Sequence, residues 1–285
     1  MVVTERPILG PDHAAALLAS NTERLAPALP EATVIVPAFN EEDGLPVVLR
    51  SLAAVLDERF EVLVVDDGST DRTAEMAMRA GHQVIRHERN LGKGCAIQTG
   101  LRNARGTGVV LVDADGTYPV SIIPLIAECL KHYEAVFAAR TIGRINMPLL
   151  NRAGNAAFRG VIRLAAGRGR SDPLSGLYGV RRKLMQRMNL TSPGFGIEAE
   201  IVIKSARLGL RTLDLPVEYG PRYGETKLSP VRDGLVILRT VLAHAGGALR
   251  SPRVDSRTTA PPGFREAASA PVIADGSRSN GSRSP

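Results

Sequence analysis

Between Gly108 and Pro119 the chain reads Gly-Val-Val-Leu-Val-Asp-Ala-Asp-Gly-Thr-Tyr-Pro. Residues 109–112 form an uninterrupted apolar run, the pattern of a strand buried on both faces of a parallel sheet. Related runs occupy residues 33–37 and 61–65, with a third short one at 83–87. Between the first two, Leu45, Val48, Leu49, Leu52, Val55 and Leu56 recur at helical spacing. Strand and helix alternating in this way predict an α/β fold with a central, mostly parallel sheet and right-handed crossovers. A helix over 120–132 and a strand over 135–139 extend this α/β layer. Beyond Arg140 the alternation breaks. The pattern there predicts a long helix over 147–166, a turn and short strand over 171–181, and a helix over 198–208. A last strand over 211–219 follows, then a final helix carrying Leu235, Leu238, Val241, Leu242 and Leu249.

The length of 285 residues suits one large domain with tails. We divide the chain into an arm at 1–30, a domain at 31–245 and a tail at 246–285 that is rich in Ser, Arg, Pro and Gly and expected to be disordered. Cys95 and Cys129 have no metal-ligand spacing and read as buried thiols of a reducing compartment. The N-terminus lacks the pattern of a secretory signal, and no apolar run is long enough to span a bilayer. The expectation is a cytoplasmic protein.

Net charge is +7, and residues 140–187 hold ten Arg and one Lys against a single acid, Asp172. A basic stretch of this kind suits nucleic acid, an anionic membrane surface or a phosphorylated substrate, or is simply a solvated face. Nucleic acid is disfavoured, because aromatic residues are 4% and no stacking platform or zinc-finger spacing occurs. In the 147–166 helix Arg152, Arg159 and Arg163 share one face. Such a helix either lies peripherally on a membrane or packs on the sheet with its arginines in water.

The carboxyl ends of the first, second and fourth predicted strands carry Asn40 and Glu41, Asp66 and Asp67, and Asp113 and Asp115. In a parallel sheet these ends share one edge, where α/β folds place their ligands. Gly68 permits a tight turn, and Thr70 is read as the N-cap of the next helix with Asp71 in its first turn. Asp113 and Asp115, two residues apart in extended chain, point the same way. Two converging carboxylates either hold a hard divalent cation, Mg²⁺ or Mn²⁺, or form a polar turn. His82, His87 and His132 read as surface residues.

Four segments resemble family-two glycosyltransferases: Val36-Pro37-Ala38-Phe39-Asn40-Glu41, Val65-Asp66-Asp67-Gly68-Ser69-Thr70-Asp71, Asn90-Leu91-Gly92-Lys93-Gly94 and Asp113-Ala114-Asp115. That resemblance implies the Rossmann-like GT-A fold and a nucleotide-sugar donor. Four further features resemble the dolichol-phosphate mannosyltransferase type: Arg140, the segment Asp172 to Gly176, the segment Gly194 to Glu200, and Arg222 through Lys227. The resemblance implies transfer of mannose or glucose, from GDP-mannose or UDP-glucose, to a polyprenyl phosphate; with no obvious nucleophile–base pair in the sequence, the expected course is direct displacement with inversion. It assigns Pro37, Glu41, Asp67 and Asp113 to the nucleotide, and Asp113, Asp115 and Thr117 to the metal. Thr117 stands where relatives carry Gln or Ser. Catalysis falls to Asp113, Asp115 and Arg222.

An acceptor phosphate is already anionic and needs cationic donors more than a general base. Arg140, Arg222 and Lys227 supply them, with Ser175 adding a hydroxyl. Glu198 and Glu200 either structure the acceptor side or pair with arginines. Two alternatives stay open: transfer to a small soluble phosphate or hydroxyl acceptor, and a catalytically silent basic module that binds membrane or nucleic acid. Oligomeric state is not readable.

Overall fold

The computed structural model describes residues 29–142, 174–224 and 230–245. The arm, the 147–166 helix with Arg152, Arg159 and Arg163, Lys227 and the tail lie outside the described residues. The described residues build seven strands: β1 Ala32–Ala38, β2 Phe60–Asp66, β3 Gln83–Arg86, β4 Gly108–Leu111, β5 Ala135–Ile142, β6 Tyr178–Arg181 and β7 Thr212–Glu218. They form one sheet in the order β3-β2-β1-β4-β6-β5-β7. β6 runs antiparallel to both neighbours, and all other neighbouring pairs are parallel. Two reversals around β6 return β5 to the direction of β4. The carboxyl ends of β1, β2, β4 and β5 therefore face one edge.

The helices are α1 Leu45–Val55, α2 Thr73–Arg79, α3 Lys93–Asn103, α4 Ile123–Cys129, α5 Arg182–Arg187, α6 Ile197–Arg207 and α7 Pro230–Ala245. The expected 120–132 helix is shorter, a 3₁₀ turn over Val120–Ile122 leading into α4 with Pro124 in its first turn. The buried strands explain the unbroken apolar runs. In β1, Val34 and Val36 join a core with Leu45, Leu49 and Leu52 of α1 and Ile126 of α4. Ile35 between them faces the other way, into a core with Ile97 of α3, Ile201 of α6 and Val241 of α7. Each Leu or Ile so buried contributes on the order of 1.5–3 kcal/mol over leaving it in water. A charged residue in place of Val34, Ile35 or Val36 would break one of the two cores. No helix of the described residues is long and apolar enough to cross a membrane.

Thr70 does not cap α2. That helix starts at Thr73, and its N–H is received by the Asp71 carboxylate. The segment before it ties the β1 and β2 loops together. The Ser69 hydroxyl receives the Asn40 N–H, the Asn40 side chain receives the Thr70 N–H, and Thr73 and Asp71 receive the N–H groups of Glu41 and Glu42. With these bonds made, the loop has no freedom to start a helix three residues earlier.

Candidate active site

The acidic pair follows directly on β4. Asp115 is 4% exposed, and its Oδ1 accepts the backbone N–H of Thr117 at 3.0 Å and the Thr117 hydroxyl at 2.6 Å. Gly116, with φ of 75°, provides the left-handed turn between them. The other Asp115 oxygen accepts from Arg222 Nη1 at 2.7 Å, while Arg222 Nη2 donates to Glu41 Oε1 at 3.0 Å. Arg222 thus bridges the β1 loop and the acidic pair. Its segment is tied down by the Tyr223 N–H to the Asp115 carbonyl and the Gly220 N–H to the Thr117 carbonyl.

Asp113 meets a different cation. Lys93, the first residue of α3, lies 2.6 Å from Asp113 Oδ1 and 2.7 Å from Glu198 Oε1 on α6. Gly176 packs so tightly on Asp113 that any Cβ there would overlap its carboxylate. Gly176→Ala should therefore destabilise the fold by about 1–3 kcal/mol, read from urea midpoints. An unchanged midpoint would show that Asp113 can move aside freely.

The electrostatics follow from burial. Burial raises the Asp115 carboxyl above its ordinary value and the Asp113 charge adds to this, while Arg222 and Thr117 oppose it. Burial works against the Lys93 ammonium, but Asp113 and Glu198 outweigh it and hold its pKa well above the ordinary value. Burial also raises Glu198, against the pull of Lys93. The donor set fits a hard divalent ion. Two carboxylates stand together, their mutual repulsion is felt at Asp115, and the Arg222 side chain beside Asp115 is 30% exposed and has room to turn away. Asp113 and Asp115 are the residues that would hold such an ion.

Around this pair the other expected residues are distributed unevenly. Arg140 at the end of β5 is buried, donates to the Leu174 carbonyl at 3.0 Å, and lies 5.3 Å from the centre of the Tyr219 ring. Tyr219 is hydrogen-bonded to Thr117 and feels the Asp115 charge, so Arg140 is linked to the Asp115 loop through the Tyr219 ring. Ser175 is buried with its hydroxyl engaged by the Leu177 backbone at 3.2 and 3.3 Å. Pro37 lies within β1, one residue before its end, beside Val65 of β2. Asp67 is 2% exposed and accepts the N–H groups of Leu91 at 3.0 Å and Gly92 at 2.7 Å.

Three residues carry more than the sequence suggested. His87 is not a surface residue: its side chain is 10% exposed and its Nδ1 lies 2.7 Å from Asp67. Glu198 pairs with Lys93 rather than with an arginine. Glu200 is fully buried and bonds the Thr191 and Ser192 N–H groups and Lys204.

Carboxylates gathered at the carboxyl edge of parallel strands, with basic side chains turned toward them, are the arrangement of a nucleotide-binding α/β enzyme. Residues 33–191 match the model for glycosyl transferase family 2, and the chain belongs to that family. The dolichyl-phosphate hexose transferase of Haloferax volcanii is 35% identical over 211 residues, 73% of this chain and 91% of that relative. The dolichol-phosphate mannosyltransferase of Pyrococcus furiosus is 31% identical over 208 residues, 69% of this chain and 58% of that one. Among solved structures, the Mycobacterium tuberculosis glucosyl-3-phosphoglycerate synthase in complex with Mn²⁺, UDP-glucose and phosphoglyceric acid aligns with a TM-score of 0.58. The two are 26% identical, and 86% of each chain is covered. The GT-A fold implied by the sequence resemblance is thereby shown.

Proposed function

We propose that this glycosyltransferase moves a hexose from a nucleotide-sugar of the GDP-mannose or UDP-glucose type to a polyprenyl phosphate, with inversion at the anomeric carbon. The observation that carries the reading is the Asp113 and Asp115 pair with Arg222 bonded to Asp115 and Arg140 against the neighbouring Tyr219 ring, on a chain whose relatives are named for hexose transfer involving a dolichyl phosphate. Pro37, Glu41, Asp67 and Asp113 form the nucleotide side. Arg140, Ser175, Arg222 and Lys227 form the acceptor side, Ser175 by shaping the turn that its hydroxyl closes.

Asp113 and Asp115 would hold Mg²⁺ or Mn²⁺, and Thr117 would support that site by fixing the Asp115 carboxylate. A bound divalent ion supplies positive charge for the diphosphate leaving group. The remaining work belongs to the chain. Arg140 and Arg222 hold the acceptor phosphate so that one of its oxygens attacks the anomeric carbon in line. The bond to the diphosphate oxygen breaks as the new one forms, and its electron pair leaves with the diphosphate. No proton needs to be taken from an ionised phosphate, so no general base is required. Lys93 and Glu198, beside Asp113, offer one donor and one acceptor to the hexose hydroxyls.

The protein is read as peripheral on the cytoplasmic face of a membrane, supported by the basic composition of residues 140–187. A second reading, transfer to a small soluble phosphate, is favoured by the solved relative whose complex contains phosphoglyceric acid. One experiment separates the two. The protein is incubated with GDP-mannose or UDP-glucose, Mg²⁺ or Mn²⁺, and either a short polyprenyl phosphate or phosphoglyceric acid, and products are weighed by mass spectrometry. A hexosyl polyprenyl phosphate is expected. Product from phosphoglyceric acid alone would replace the first reading with the second.

A further inference from the structure

His87 follows β3 directly, its backbone N–H donating to the Asp66 carbonyl at 2.8 Å. Its ring is wedged between the end of β2 and helix α3. Nδ1 lies 2.7 Å from Asp67 Oδ1, and Nε2 lies 3.0 Å from the Thr99 hydroxyl on α3. The chemistry at each end sets the direction of these bonds. Asp67 already receives two backbone N–H groups, so its carboxylate is an acceptor and His87 Nδ1 carries the proton. In a neutral ring Nε2 then has a lone pair for the Thr99 hydroxyl proton. The Thr99 oxygen in turn accepts from Arg102 Nη2 at 2.8 Å. An unbroken line of contacts thus runs from Arg102 through Thr99 and His87 to Asp67, with His87 Nδ1–H donating to the carboxylate at its end.

Asp67 passes this orientation on. Its two oxygens hold the Leu91 and Gly92 N–H groups, and the next residue is Lys93, which reaches Asp113 and Glu198. The same turn is braced from the other side by the Cys95 N–H, which donates to the Pro193 carbonyl at 3.0 Å. We infer that His87 is a positioning residue of the donor pocket: its Nδ1–H fixes Asp67 on the Leu91 and Gly92 amides and so aims Lys93 at Asp113. The link to the donor rests on the proposed nucleotide-sugar reading; the link to the 91–92 turn does not. Residues at this remove from the reacting atoms commonly change affinity or activity by 10–100-fold.

The shape of the ring provides the test. The side-chain amide nitrogen of Asn can occupy the place of Nδ1, whereas that of Gln reaches the place of Nε2. His87→Asn therefore keeps the bond to Asp67, and His87→Gln and His87→Leu lose it. Amide hydrogen exchange at Leu91 and Gly92 is measured in the full-length chain, alongside KM and kcat for the sugar donor. In the Gln and Leu variants exchange at these two amides should quicken about tenfold or more. The donor KM should rise about tenfold, with kcat within about twofold of wild type. The Asn variant should stay near wild type in both measurements. Equal protection of the 91–92 amides in all three variants would overturn the inference, as would a fall in kcat at unchanged KM. If the unaltered protein binds no nucleotide-sugar while the exchange pattern holds, the donor reading fails and the positioning of the turn by His87 stands.

Discussion

Asp115→Asn is expected to reduce glycosyl transfer by about 100-fold or more while the protein remains folded. The substitution keeps the shape of the side chain and an oxygen able to accept the Thr117 N–H. It removes the negative charge, and with it half of the pair that would hold a divalent ion. Charge stabilisation of this kind at a leaving group is worth about 2.7–4 kcal/mol, which sets the size of the loss. The fold should survive because Arg222 keeps its second partner, Glu41, at 3.0 Å. The variant also relieves repulsion, since burial and the Asp113 charge both raise the carboxyl it replaces. Initial rates across a Mn²⁺ titration, with melting curves as the control, decide the matter. Wild-type turnover at limiting metal would remove Asp115 from the ion site.

Much of this architecture could be read from sequence because it rests on local patterns. The unbroken runs of β1, β2 and β4 announce strands covered on both sides, and the two cores to which Val34 and Ile35 separately belong are the physical cause. Acidic residues just past those strands had to meet once the strands were parallel. That geometry made the shared edge position of Glu41, Asp67, Asp113 and Asp115 legible. The direction of β6 was not. Tyr178 to Arg181 makes a good strand either way round, and only its pairing with β4 and β5 shows that it runs against both.

The partners of the acidic residues were also hidden. Lys93 reads as one basic residue in a glycine-rich turn, and its second partner, Glu198, is on a helix in the far half of the chain. Nothing periodic connects them. His87 looked superficial because β3 is a short edge strand with polar ends, Gln83 and Arg86, both exposed. The histidine lies one step past that strand, where the chain turns inward to meet Asp67 and Thr99. Hydrogen-bond bookkeeping would have been the available signal. A carboxylate as buried as Asp67 needs several donors, and a nearby histidine is a candidate for one of them.

The second large effect concerns Arg222, for which metal binding and transfer should move in opposite directions. Its guanidinium lies between Glu41 and Asp115, bonded to both, and so neutralises one of the two carboxylates that would hold a divalent ion. Side-chain exposure of 30% leaves it room to turn away. A cation in that position competes with a metal, so Arg222→Gln should bind Mn²⁺ more tightly, by about tenfold for each 1.4 kcal/mol of competition removed. One charge-assisted hydrogen bond is worth about 1.5–3 kcal/mol, so a gain near tenfold is the expected scale. Transfer should nevertheless fall by about 100-fold, because Gln lacks the charge and forked geometry that hold an attacking phosphate. Paramagnetic resonance of free Mn²⁺ gives the affinity without any turnover, and product formation at saturating metal gives the rate. Looser Mn²⁺ binding together with slower transfer would mean that Arg222 shapes the ion site instead of competing for it. Tighter binding with normal transfer would remove it from the acceptor side.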